Sequence, residues 1–195
     1  MSKYEICGKD CDFYNGEKRL IVCIQNDIKN ADITNLLLNK IREIHIHEHR
    51  EIFLVEFLPK HDFQILSSLV FISDKIRIIS FESLWNHSFY FTENDICIGT
   101  RFHFHLLAAR SGARGIFGSV DEYYGIKHDS ILDIGSQWQN VDLYRNSVPK
   151  LEMPLIDNEK LHKLKSAEFH KVMGYVKDPP KTLVFRCRKF NGGKI

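Results

Sequence analysis

Residues 20–25, LIVCIQ, are almost wholly apolar, and a strand with no polar alternation has to be covered on both of its faces. That constraint points to a sheet sandwiched between helices, and the runs downstream repeat it. Asp32 or Thr34 can start a helix reaching about His47, with Ile33, Leu36, Leu37, Ile41 and Ile44 as its core stripe. Residues 52–57 read as a second strand ended by Leu58-Pro59, residues 61–69 as a short helix, and residues 75–80 (KIRIIS) as a third strand. A helical turn over 81–87 follows, then strands over 95–99 and 114–118. Strands alternating with helices of this length predict an α/β, Rossmann-like parallel sheet with helices on both faces.

Within that pattern, residues 94–127 are the richest in chemistry. Gly99-Thr100 breaks the fourth strand, and Thr100 is suited to cap a helix running from Arg101 to about Ser111, whose apolar residues include Phe102, Leu106, Leu107 and Ala109. Gly112 closes that helix, and after the fifth strand Ser119 opens a polar loop carrying Asp121, Tyr123, Tyr124 and Lys127. In an open parallel sheet the ligand sits beyond the carboxyl ends of the strands, where helix N-termini present unbonded N–H groups. Arg101 and His103 fall in the first turn of such a helix, so backbone donors, helix dipole and guanidinium would converge on a phosphate or carboxylate.

The length of 195 residues suits one well-buried domain with a tail. The expected division is a lead-in segment over 1–18, a domain over 19–150, and a C-terminal helix with a basic tail over 151–195. A short helix is expected near 136–146, a break at Val148-Pro149, and a helix over 158–173 stopped by Gly174 and Pro179-Pro180. Residues 181–190 read as a basic edge strand or ordered tail.

A net charge of +2 and the lack of a long Lys/Arg block argue against a nucleic-acid partner. No run approaches the roughly 18 apolar residues of a spanning helix, and MSKYEICGKD lacks the apolar core of a signal peptide. A cytoplasmic protein is expected, either free or peripheral at the inner face of the membrane. Five cysteines, Cys7, Cys11, Cys23, Cys97 and Cys187, show no framework spacing, which fits reduced thiols. No second Cys/His pair at zinc spacing follows Cys7-x-x-x-Cys11, and the period of two in His45-Ile46-His47-Glu48-His49 would need a strand where a helix ends, leaving only His45 and His49 on one helix face, so no metal is expected.

The segment Gly99-Thr100-Arg101-Phe102-His103, followed by LLAARSGARGIFGSVDEYYGIKHDSILDIG, resembles the polysaccharide pyruvyl transferase family. The likeness covers roughly residues 20–138. It implies the C-terminal half of a GT-B fold, with an Arg-x-His at a strand-to-helix turn and a lysine-bearing aromatic loop after the next strand. It further implies transfer of pyruvate from phosphoenolpyruvate to two sugar hydroxyls, forming a ketal in exopolysaccharide or cell-surface glycan biosynthesis, without a separate cofactor. On this resemblance Arg101 and His103 are the catalytic pair, Arg101 on the donor's carboxylate or phosphate and His103 as general acid. Thr100, Gln25, Ser119, Tyr123, Tyr124 and Lys127 are the substrate-binding residues. Gln25 stands at the end of the first strand, where family members often carry arginine. The expected partners are phosphoenolpyruvate, a sugar or lipid-linked glycan acceptor, and either a second copy of the chain or a separate N-terminal half, because the family's acceptor-binding half is not in this sequence.

Other readings stand beside this one. Arg101 could pair with a carboxylate such as Asp95 or Asp121, His103 could be a satisfied core histidine, and His105 points away from the motif face of the helix. A nucleotide-sugar glycosyltransferase half-domain and a non-catalytic, truncated binding module are the alternative functions.

Overall fold

The computed structural model describes residues 4–7, 18–25, 31–59, 61–86, 89–144, 151–152, 154–156 and 159. By contacts the chain divides into Met1–Asp157 and Asn158–Ile195, and all the elements named here belong to the first unit. The strands are β1 (Tyr4–Cys7), β2 (Arg19–Cys23), β3 (Glu51–Val55), β4 (Ile76–Ile79), β5 (Ile96–Gly99), β6 (Arg114–Phe117) and β7 (Gln139–Asn140). The helices are α1 (Ala31–Glu48), α2 (Leu66–Leu69, entered through a 3-10 turn at Asp62–Ile65), α3 (Phe81–Trp85), α4 (Phe102–Arg110) and α5 (Glu122–Leu132). A second 3-10 turn, Val141–Tyr144, follows β7.

All seven strands run parallel in one sheet of order β1-β4-β3-β2-β5-β6-β7. Counted from β2, the last six follow the order 3-2-1-4-5-6 of a doubly wound Rossmann sheet, and the order reverses between β2 and β5. Every residue of β2 is buried, because successive side chains enter two different cores. Leu20 and Val22 pack with Ile33, Leu37, Ile41 and Ile44 of α1. Ile21 and Cys23 pack with Phe104, Ala108 and Ala109 of α4.

Two glycines allow the close approaches this needs. A Cβ on Gly99 would run into the Cys23 carbonyl and the Phe104 ring, and one on Gly115 would run into the Trp138 indole. At the opposite, amino-terminal edge, Arg19 grips Asp95 with Nε to Oδ1 at 2.7 Å and Nη2 to Oδ2 at 2.6 Å, both side chains almost fully buried. Asp95 also accepts the Thr92 N–H, so this ion pair ties the start of β2 to the start of β5.

Several expectations need correction. Residues 4–7, expected in a structureless lead-in, form an edge strand on β4; four residues flanked by polar sequence carry too little periodicity to be read as a strand. The loop expected after Ser119 is largely helix α5, started by the Asp121 side chain accepting the Tyr124 N–H; Gly125 and the paired tyrosines hid its period. The helix expected near 136–146 is instead β7 and a 3-10 turn, because Trp138 drops onto Gly115 and donates Nε1–H to the Ala113 carbonyl at 2.8 Å. Thr100 does not cap α4. Its Oγ1 accepts the Gln25 N–H at 2.9 Å, and Arg101 takes the N-cap position without a side-chain cap. The helix expected over 158–173 and the basic stretch 181–190 lie outside the described residues.

Asp95→Ala would leave the Arg19 guanidinium buried without its counter-ion, which costs about 3–5 kcal/mol. Urea unfolding should show a loss of that size, and a loss under about 1 kcal/mol would show that the pair does not secure this edge.

Candidate functional site

Beyond the carboxyl ends of β2 and β5, where the strand order reverses, lies a crevice of about 360 Å³ lined by Gln25, Phe57, Leu58, Arg101, Phe102, His103, Tyr124 and Lys127. Five of the eight residues expected at the site, Gln25, Arg101, His103, Tyr124 and Lys127, line it. Thr100 does not. It is fully buried, its hydroxyl serving β2 and its carbonyl accepting from His128 Nε2 at 3.1 Å. Ser119 and Tyr123 also lie off the crevice wall, Tyr123 being largely exposed.

Gln25 is 2% exposed, and its Oε1 is buried with no hydrogen-bond partner among the described residues. An unsatisfied buried acceptor of this kind costs about 1–3 kcal/mol. His103 is exposed, lies edge-on to Phe102 at 5.2 Å, and is not the buried core histidine of the plainer reading. Lys127 sits over aromatic faces, its Nζ 4.2 Å from the Tyr123 ring, 5.4 Å from Tyr124 and 5.8 Å from Phe102. It makes no carboxylate pair among the described residues. Cation–π contact holds the ammonium without neutralising it.

Arg101 does have a carboxylate partner, and it is neither of those considered from sequence. Asp95 belongs to Arg19 and Asp121 to the start of α5. The partner is Asp62, from the 3-10 turn after β3, whose two oxygens each receive Arg101 Nε at 2.9 Å while Nη2 reaches Oδ1. Asp62 is fully buried and also accepts the N–H groups of Phe57 and Leu58 at 2.9 and 2.8 Å. Sequence reasoning passed over Asp62, whose partner lies 39 residues away and leaves no local pattern.

Behind the crevice wall a second group, also unforeseen, joins α4 to α5. His105 Nδ1 meets His128 Nδ1 at 2.9 Å and His105 Nε2 meets Ser136 Oγ at 2.7 Å. The His105 ring stacks on Trp138 at 4.3 Å, and the His128 ring on Phe117 at 4.6 Å. The Thr100 carbonyl can only accept, so His128 carries its proton on Nε2. In neutral rings His128 Nδ1 then accepts from His105 Nδ1–H, and His105 Nε2 accepts from the Ser136 hydroxyl. Burial lowers both histidines, His128 to about 4 and His105 well below the ordinary value, with the neighbouring His128 adding to the effect on His105.

A larger cavity, about 780 Å³, lies at the amino-terminal edge and is lined by Lys18, His45, His49, Arg50, Glu51 and Lys75 among others. The C-terminal, partially negative end of α1 opens onto it. Arg50 pairs there with Glu48 and Lys75 with Glu51, and His45 Nδ1 donates to the Arg50 carbonyl at 2.6 Å. Among the described residues no three His, Cys, Asp or Glu side chains gather as metal ligands, and no helix is long and apolar enough to cross a membrane. Burial pushes the free thiols of Cys23 and Cys97 well above their usual range, Asp62 and Asp95 respectively adding to it.

Compared with known proteins, the chain matches no family model, no curated protein and no solved structure. Its functional reading rests on the crevice.

The histidine pair makes stability depend on pH. Both rings fold neutral, so the unfolded chain takes up protons below about pH 6.5 that the folded protein refuses. Stability is therefore complete above that pH and falls on acidification by about 1.4 kcal/mol per pH unit for each histidine. The His128 share levels off near its folded value of about 4. Urea unfolding should give a lower midpoint at pH 5 than at pH 7, with much of the difference removed in His128→Gln. Equal midpoints for the unsubstituted protein at the two pH values would mean that the buried rings carry charge.

Proposed function

We propose that this chain is a polysaccharide pyruvyl transferase-like domain, with the GT-B-type relationship that family implies, and that the crevice between β2 and β5 receives phosphoenolpyruvate. The observation that carries the reading is the coincidence, at the switch point of a parallel sheet, of a histidine at the start of a helix with no side-chain cap (His103 on α4) with an ammonium and a buried carboxamide oxygen that have, among the described residues, no counter-ion (Lys127) and no hydrogen-bond partner (Gln25). A small polyanion has carboxylate and phosphate oxygens for the ammonium and the first-turn N–H groups. The Gln25 carboxamide, in the same wall, has N–H groups to offer it. The volume of about 360 Å³ is near the lower end of ligand cavities, which run roughly from 300 to 1,000 Å³, and so favours a small donor over a nucleotide sugar.

The chemistry is a ketal formation. One sugar hydroxyl adds to C2 of phosphoenolpyruvate while the methylene carbon takes a proton and becomes methyl. The C2–O bond to phosphate then breaks, and a second hydroxyl of the same sugar closes the ring. The two hydroxyl protons end as one C–H of the methyl group and one proton on the released phosphate. His103 stands at the crevice wall and suits the donor role at neutral pH, since an imidazolium that protonates carbon regains its proton from the attacking hydroxyl. Lys127 and the α4 N-terminus oppose the charge of the departing phosphate. Tyr124, on the same wall, is placed to hold a sugar hydroxyl. The acceptor is a sugar with two hydroxyls that can share one ketal carbon, on a glycan or lipid-linked precursor.

Titration calorimetry with phosphoenolpyruvate beside a panel of nucleotide sugars tests the reading. The donor should bind and the nucleotide sugars should not. Lys127→Met should weaken donor binding at least tenfold, and His103→Ala should retain most of it. Binding of a nucleotide sugar in place of the donor would turn the assignment to glycosyl transfer, and binding of neither to a non-catalytic module.

A further inference from the structure

The crevice holds a guanidinium whose charge is already answered from inside the protein. Asp62 cannot touch a ligand, being fully buried. Its Oδ2 takes the Phe57 and Leu58 N–H groups, and the Cys23 thiol approaches the same oxygen at 4.0 Å. Arg101 closes on it through Nε and Nη2, yet its side chain keeps 17% exposure and stands in the crevice wall. Three elements meet at this carboxylate: the end of β2, the loop leaving β3, and the N-cap of α4.

We propose that Asp62 is the positioning residue of the site: it fixes the plane and direction of the Arg101 guanidinium toward the anion of the donor. This rests on the reading that the crevice takes phosphoenolpyruvate. Two physical effects of Asp62 oppose each other. Its charge turns Arg101 from a monopole into one end of a dipole, which weakens attraction for any anion. Its geometry removes the rotamer freedom of a long side chain before the ligand arrives, and a fixed planar fork recognises carboxylate or phosphate far better than a mobile one. Asp62 makes five contacts with Arg101 and backbone N–H groups, four of them at 2.8–2.9 Å and the fifth from Arg101 Nη2 to Oδ1, so orientation is what the arrangement secures, and orientation is the larger effect.

The two effects predict opposite signs, which makes the experiment decisive. Phosphoenolpyruvate is titrated into the full chain, into Asp62→Asn and into Arg101→Lys, with urea unfolding of each as a check that it is folded. Asp62→Asn adds one unit of positive charge to the site, yet should lower donor affinity at least tenfold. Arg101→Lys keeps the charge and loses the two-pronged grip, and should lower affinity by a similar factor. The double variant should lose little more than either single one, because both break the same unit. In ¹H–¹⁵N spectra, the Arg101 Nε–H, assigned by its absence from Arg101→Lys, should be protected from exchange in the unsubstituted chain and unprotected in Asp62→Asn.

Folded Asp62→Asn that binds the donor as tightly as the unsubstituted chain, or more tightly, would overturn the proposal while leaving the donor assignment intact. If Asp62→Asn does not fold, Arg101→Lys decides alone: unchanged affinity overturns the proposal. A folded, unsubstituted chain that does not bind phosphoenolpyruvate overturns the donor reading, and the positioning role falls with it.

Discussion

One buried carboxylate organises the functional end of this molecule. Asp62 accepts from two backbone N–H groups of the loop after β3 and from the guanidinium at the start of α4, so the wall of the crevice is held by charge-assisted bonds to a carboxylate that solvent does not reach. Bonds of this kind are short, directional and about twice as strong as neutral ones. Without the carboxylate the guanidinium loses this two-oxygen hold, and the loop N–H groups lose their acceptor. The crevice thus depends on an interaction that itself faces inward.

The sheet explains why the crevice lies where it does. A parallel sheet covered on both faces has its two cores separated by the strands, and the helices that cover it start beyond the strand carboxyl ends. Between β2 and β5 neighbouring connections leave in opposite directions. The Thr100 N–H bonds back to the Cys23 carbonyl at 3.0 Å and its hydroxyl receives the Gln25 N–H. These bonds stitch the two strand ends together at the floor and leave α4 to rise on one side. The Arg19–Asp95 pair performs the matching task at the amino-terminal edge, so β2 and β5 are pinned at both ends. The histidine pair adds a third tie, drawing the Thr100 carbonyl toward α5.

How much of this is legible in the sequence follows from the range of the interactions involved. The five central strands and α1 announce themselves through local composition, because strands buried on both faces must be apolar throughout. The segment around Gly99 to His103 is legible as a strand-to-helix turn for the same local reason. What escapes are features set by partners far along the chain. The Asp62–Arg101 pair spans 39 residues and the His105–Ser136 contact 31, and neither leaves a period or motif. Trp138 seats on Gly115, which decides that its neighbourhood is strand and turn where composition suggested helix. Thr100 looked like a cap because threonine favours that position, but the hydroxyl is claimed by the neighbouring strand end.

On the proposed reading a small anion binds in the crevice between β2 and β5, and not in the larger cleft at the amino-terminal edge. Chemical-shift mapping of the labelled protein during a titration with phosphoenolpyruvate tests it most directly. The perturbed signals should be the Gln25 carboxamide, the Arg101 Nε–H, the His103 ring and the Lys127 side chain, with the first-turn amides of α4. Shifts confined to Lys18, His45, His49 and Lys75, or none at saturating ligand, would contradict it.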